Sequence, residues 1–379
     1  MSARTSSGPG IATRVFGSQW FVSVLAVLIA FVIGAILIAL SGASVVDAYY
    51  AMFRGSIVDP NAANAVRMIK PLTDSLFYSI PLIISGLGLA LGFRAGLFNI
   101  GGKGQIIVGA LAAVWVGFAV SLPPVLHTLV ALLVAVIAGG LYGGIAGVLK
   151  AKTGANEVIV TIMLNSIATL GLGYTLAQKA WQVPGTNQPV TPKVAESAAF
   201  ARLLPAPFKL HVGFLVALVA LVAFWWLIER STLGFQIRAV GANAAAARTA
   251  GISVERITAI TMVLSGAFLG LAGANEALGT IGYVSRDVAG SIGFDAITVA
   301  LLGRNKTWGT FGAGLLFGAF KAGGYTMQAK GVPIDMILIL QSVIVLLIAA
   351  PALVRWLFRL PDVRALAANT RKGNADEHK

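Results

Sequence analysis

The chain has no cysteine, only three histidines and little charge of either sign. Without cysteine there are no disulfides, no thiolate chemistry and no cysteine-ligated metal. His127, His211 and His378 are too scattered to mark a metal cluster. Asp and Glu together number 14, half the count of Lys and Arg. Charged residues make up 11% of the 379 positions, where soluble domains carry about 25%. What is present instead is oil: hydrophobic residues account for 57% of the chain, and the mean hydropathy is +0.86. Runs of about 20 apolar residues span a bilayer, and the chain consists mostly of such runs. A polytopic, all-α membrane protein is the class that fits.

Ten apolar segments can be marked, at roughly 20–40, 75–93, 105–121, 125–149, 157–177, 211–228, 257–279, 288–303, 309–328 and 334–357. Residues 20–357 are thus one transmembrane domain, with tails at 1–19 and 358–379. The basic N-terminus resembles the start of a signal peptide, but no cleavage site leads into a soluble domain, so the first segment is read as a retained span. Ten crossings put both termini on one side. With the termini inside, eighteen Lys and Arg fall on the inner side, counting Arg355 at the end of the last segment with the tail, and nine on the outer. That is the positive-inside bias, and it explains the net charge of +14 without nucleic acid.

Two connecting loops are long. The outer loop 178–210 holds Pro184, Pro189, Pro192, Pro205 and Pro207, and so many prolines cannot sit in one regular element. The inner loop 229–256 contains an alanine-rich run, Ala242–Ala250. Alanine favours helix, and Gly251 is placed to end it. A short inner helix held between two spans can press on a partner.

The chain also repeats itself weakly. Leu141–Ala151 (LYGGIAGVLKA) and Leu315–Gly324 (LLFGAFKAGG) occupy matching places in segments 2–5 and 7–10. Glycine-rich polar stretches, Asn99–Gln105 and Gly290–Asp295, open the third and eighth segments. The two four-helix sets start on opposite sides, which makes them inverted repeats. Short, glycine-interrupted segments at matching places of inverted halves point to a transport path.

The stretch Gly92–Ala110, GFRAGLFNIGGKGQIIVGA, carries six glycines. A phosphate-binding loop needs Gly, four residues, Gly, Lys and then Ser or Thr. Here Leu97 stands in the first place and Gly104 follows Lys103, so the pattern fails and ATP is not bound by this loop. The alternative is a broken start to the third span. Irregular backbone at membrane depth is tolerated where protein buries it or water lines it. Asn99 and Gln105 are then expected to satisfy the freed backbone groups, with Gly101 and Gly104 allowing close approach.

Polar residues inside spans are expensive, about 2.5–3.5 kcal/mol for an ionised one on insertion scales. Asn165, Asn275 and Glu276 are the candidates for the translocation path. Asp295 and Lys321 are read as a structural pair between neighbouring helices. Thr161 is read as ordinary packing, while Asp74 and Asp335 are placed at helix N-terminal dipoles.

Ala95–Gln105 (AGLFNIGGKGQ), Ala155–Asn165 (ANEVIVTIMLN), Asp47–Ser56 (DAYYAMFRGS) and Gly293–Thr310 (GFDAITVALLGRNKTWGT) together resemble the permease subunits of ABC importers for nucleosides and simple sugars. The matches run in order from about residue 45 to 350. Lys103 departs from the pattern, since many relatives carry an acid there. The resemblance implies about ten transmembrane helices with inverted repeats, similar to the vitamin B12 importer permease, in the cell (inner) membrane with both termini cytoplasmic. It implies a second permease subunit, as a hetero- or homodimer, and an extracytoplasmic solute-binding protein. Separate ABC ATPase subunits bind the ATP, so the chain itself needs no cofactor and is not an enzyme. Within residues 240–253, Gly241, Asn243, Arg248 and Gly251 match the family's ATPase-coupling helix. Nucleosides are the first expected cargo, riboflavin or a simple sugar the second. An ion-coupled carrier and a passive channel or scaffold are the competing classes; the scarcity of buried acids disfavours proton coupling.

Overall fold

Asn64 opens the most deeply buried of the long apolar helices among the described residues. Its side-chain oxygen accepts the backbone N–H of Arg67 at 2.9 Å, a capping bond that satisfies an orphan donor at a helix start. In the computed structural model this helix, α3, therefore begins at Ala65, ten residues before the apolar run, and continues to Arg94 through Pro71 and Pro81. The structure describes residues 19–329, together with 331–333, 336, 338, 339, 342, 343, 346 and 347. The tenth expected segment (334–357), Asp335, the N-terminal residues to 18 and the C-terminal tail lie wholly or largely outside the described residues.

The regular structure among the described residues is helical, apart from one isolated β-bridge between Arg202 and His211. In order, the helices are α1 (Gln19–Leu40), α2 (Val45–Ser56), α3 (Ala65–Arg94), α4 (Gly102–Ala119), α5 (Leu126–Thr153) and α6 (Glu157–Ala177). Then follow α7 (Gly213–Arg230), α8 (Thr232–Ala242), α9 (Ala244–Thr249), α10 (Val254–Asn275), α11 (Ile292–Leu302) and α12 (Thr307–Gln328). A π-helical turn, Glu276–Thr280, extends α10. Among the described residues, six helices are long and apolar enough to cross a membrane: α3, α4, α5, α6, α7, and α10 with its π-turn. α11 has 11 residues, about 16 Å of rise, and is too short to cross alone.

The chain divides into two compact units, residues 51–326 and residues 1–50 with 327–379. In the smaller unit the Tyr49 hydroxyl donates to the Phe31 carbonyl, and the two rings meet edge to face at 5.4 Å. In the larger unit α10 is the central helix, packed against α5, α4 and α3. Its seam with α5 is lined by glycine at every fourth position. A methyl group on Gly139 would lie 2.5 Å from the Gly266 carbonyl oxygen, and one on Gly143 2.6 Å from that of Met262. Small residues let helix backbones close up where lipid supplies no hydrophobic drive between them.

Candidate functional site

Three places gather the polar residues of the larger unit. The first is the bend between α3 and α4. Asn99 is buried and its side-chain oxygen accepts the N–H of Gly101 at 2.9 Å. Its amide nitrogen donates to Gln105 Oε1 at 3.0 Å and to the Ser265 hydroxyl of α10 at 2.9 Å. Asn165 reaches across from α6, accepting the N–H of Gly104 and donating to the Ile100 carbonyl, both at 2.8 Å. The Ile100 N–H donates to Thr161 Oγ1 at 3.2 Å. A bend of this sort leaves backbone groups without helical partners, and side chains from α6 supply them.

The expected division of labour changes accordingly. Asn99 does satisfy a freed N–H, but Gln105 bonds Asn99 rather than the backbone. Both ends of the Asn165 amide are spent on the bend. Thr161 is a member of the knot, not simple packing. Thr161 and Ser265 carry no mark in the sequence that separates them from other hydroxyls in apolar helices.

The second place is the end of α10. Asn275 is fully buried and donates weakly to Glu276 Oε1 at 3.4 Å and to Thr280 Oγ1 at 3.5 Å. The Thr280 hydroxyl donates to Glu276 Oε1 at 3.1 Å. Asn275 Oδ1 has no partner among the described residues. Nearby, His211 accepts the Gly213 N–H on Nδ1 at 3.0 Å, so a neutral ring carries its proton on Nε2, which also lacks a partner. The π-turn is a local departure from α-geometry of a kind that collects at functional sites. The proline-rich loop is bound along it: Phe200 N–H donates to the Leu278 carbonyl, Val194 to Gly282 and Thr191 to Val284, at 2.9–3.0 Å. Loop 178–210 is thus irregular, as its prolines require, yet fixed to the helix end.

Asp295 and Lys321 do not form the expected ion pair. Asp295 accepts the Ser291 hydroxyl at 2.6 Å, and no ion pair within 4.0 Å involves either residue among the described ones. Asp74 is likewise not at a helix start. The Asn64 cap moves that start ten residues upstream, and Asp74 instead pairs with Lys70 one turn before it.

The third place is the corner of α8 and α9. The alanine run is two helices, not one. Asn243 is extended (φ −162°, ψ 103°) and accepts the Ala246 N–H at 3.1 Å, capping α9 and ending α8. Gly251 has φ +82°. Its N–H donates to the Arg248 carbonyl and the Ile252 N–H to that of Ala247, both at 3.0 Å. This bond pair is the Schellman stop, in which glycine avoids the left-handed penalty. Arg248 pairs with Glu255 at 2.6 Å, both well exposed. A cleft of about 560 Å³ lies between the two helices, walled by Phe235, Ala239, Ala246 and Ile252 among others. Gly241 does not line this cleft. Its Cα faces the end of α3, where any Cβ would strike the Arg94 carbonyl. Arg94 in turn donates through Nε to the Asn305 carbonyl of the α11–α12 loop at 2.7 Å.

Residues 72–349 match the profile of the branched-chain amino acid transport system / permease component family. The guanosine ABC transporter permease protein NupP of Bacillus subtilis is 40% identical, over 89% of this chain and 95% of its own length. The glucose ABC transporter permease protein TsgB13 of Haloferax volcanii is 35% identical, over 85% of each. The nucleoside ABC transporter permease protein NupB of Lactococcus lactis subsp. cremoris is 32% identical, over 92% and 95%. No solved structure matches the chain.

Proposed function

The chain belongs to the branched-chain amino acid transport system permease family, and from that premise we propose that it is the membrane permease subunit of an ATP-driven importer of nucleosides. The observation that carries this reading is the pairing of a multi-pass helical shell with a near-full-length likeness to two permeases named for nucleoside cargo. The chain is a transport component, and ATP is bound and hydrolysed by separate subunits. A second, similar permease completes the path and an outer solute-binding protein delivers the cargo.

The basic inner loops orient the chain with both termini in the cytoplasm. In this orientation the α8–α9 corner faces the ATPases, with Asn243, Arg248 and Gly251 shaping the surface they meet. Gly241 passes the push to the end of α3, and the knot of Asn99, Gly101, Gly104, Gln105 and Asn165 keeps the α3–α4 bend rigid enough to move as a unit. Asn275 and Glu276 lie on the translocation path. The irregular stretches after α3 and after α10 occupy matching places, which supports inverted repeats within a ten-helix fold. The proline-rich loop, fixed to the π-turn, is the docking surface for the binding protein.

The test is uptake of labelled guanosine by vesicles holding the full complex. Depleting ATP should abolish uptake, and a protonophore at clamped ATP should leave it intact. Uptake that follows the proton gradient instead would replace this reading with an ion-coupled carrier. A simple sugar is the second cargo reading, favoured by the glucose permease relative; competition by glucose but not guanosine would select it.

A further inference from the structure

α3 and α12 approach closely through small residues. A methyl group on Gly318 would lie 2.6 Å from both the Ser75 carbonyl oxygen and Ser79 Cβ, and one on Gly314 2.5 Å from Ile83 Cγ1. Lys321 follows Gly318 by three residues and Tyr325 follows Lys321 by four, so both continue this helix face. On α3, Lys70, Asp74 and Tyr78 recur at the same four-residue spacing. The two stripes meet where the rings of Tyr78 and Tyr325 stand 5.3 Å apart, tilted by 37°.

The charges around this ring pair are unusually placed. Lys321 acts electrostatically on both Glu276 and Asp295, and Glu276 and Asp74 act on Tyr78. These groups come from α3, the π-turn, α11 and α12, and lie near enough to act on one another's charge. Yet Lys321, half-buried in mid-helix, makes no ion pair or hydrogen bond among the described residues. Asp74 keeps one buried oxygen without a partner, and so does Asn275. An ionisable residue within a span faces the bundle interior or a water-filled path, or pairs with another group, and Lys321 has no such pair among the described residues.

We propose that Tyr78, Lys321 and Tyr325, with the carboxylates of Glu276 and Asp295, form a solute-contacting half-site for a neutral heteroaromatic ring bearing hydroxyl groups. The two phenol rings offer a stacking face. Lys321 donates to a ring carbonyl, and the carboxylates accept from hydroxyls or ring N–H groups. Lys321 is the one cation facing two carboxyl groups and cannot balance a phosphate as well, so the site suits the uncharged nucleoside. This inference rests on the nucleoside reading above and adds its recognition chemistry.

The test uses the full complex in proteoliposomes, with labelled guanosine as cargo and 8-azidoguanosine as photolabel. Wild-type label should fall on the α3 or α12 peptides that carry Tyr78 or Tyr325, and excess guanosine should remove it. At equal amounts of assembled complex, Lys321→Met and Tyr325→Leu should each lower guanosine uptake by about tenfold or more, the loss expected when a charge-assisted bond or a stacked ring is removed. Tyr325→Phe, which keeps the ring, should restore most of it. Uptake by Lys321→Met and Tyr325→Leu within about twofold of wild type would overturn the site, as would guanosine-sensitive label confined to other helices or absent while transport proceeds. Should either variant fail to assemble, the wild-type photolabel map decides alone. A wild-type complex with no ATP-dependent guanosine uptake would instead overturn the nucleoside reading itself.

Discussion

Replacing Asn165 with alanine separates a structural amide from a solute-binding one. Asn165 makes two hydrogen bonds of 2.8 Å, one to the Gly104 N–H and one to the Ile100 carbonyl. Gly104 is buried and Ile100 is half-exposed. A buried polar group left unpaired costs about 1–3 kcal/mol. Loss of both therefore comes to about 2–6 kcal/mol, towards the lower end because water can reach Ile100. Thr161→Val removes one bond to the same bend and should cost about 1–3 kcal/mol. The two losses should not add, since both residues clamp residues 100–104 and coupled sites depart from additivity. Thermal unfolding of the purified complex in detergent would measure each variant and the double variant. Asn165→Ala should unfold several degrees lower, with uptake per folded complex reduced less than stability. Unchanged thermal stability combined with lost uptake would refute this reasoning and return Asn165 to the solute path.

Gly251→Ala has open space around the new methyl, but at φ +82° it should cost about 1–2 kcal/mol, loosen α9 and weaken co-purification of the ATPases. Gly241→Val places a side chain against the Arg94 carbonyl; overpacking of this kind costs about 1–3 kcal/mol, and ATP hydrolysis should continue with much less uptake. Gly143→Leu drives a side chain into the Met262 backbone of α10 and should abolish assembly, read as loss of the monodisperse complex on size exclusion. Arg248→Ala removes only an exposed pair with Glu255; stability should hold, and any loss of ATPase association reports the contact surface.

The long apolar helices were legible in the sequence because about 20 residues of oil have few other fates. The bend at Asn99 was legible because glycine and amides interrupt that oil. Gly251 was visible as a stop because only its backbone matters there. What escaped depends on single capping bonds or on pairing across the bundle. Asn64 adds ten residues to α3, among them Arg67, Lys70 and Asp74, and no unbroken apolar run announces them. Asn243 splits an alanine run that helix propensity alone would keep whole. Thr161 meets Ile100, Asn165 meets Gly104 and Ser265 meets Asn99, each across more than 60 residues of sequence. The failed pairing of Asp295 with Lys321 shows the same limit, since opposite charges on neighbouring helices can lie near each other without closing an ion pair. The four-residue glycine spacing on α5 was in plain view, but only its partner on α10 gives it meaning.

Because the chain has no native cysteine, one introduced thiol reports its position without background. Ala246→Cys, on the wall of the α8–α9 cleft, should resist a membrane-impermeant maleimide in intact cells, react in inside-out vesicles, and form a cross-link to the ATPase subunit. Labelling of the same thiol from the outside of intact cells would contradict an ATPase-driven permease, because the corner that must receive the push would then lie on the wrong side of the membrane.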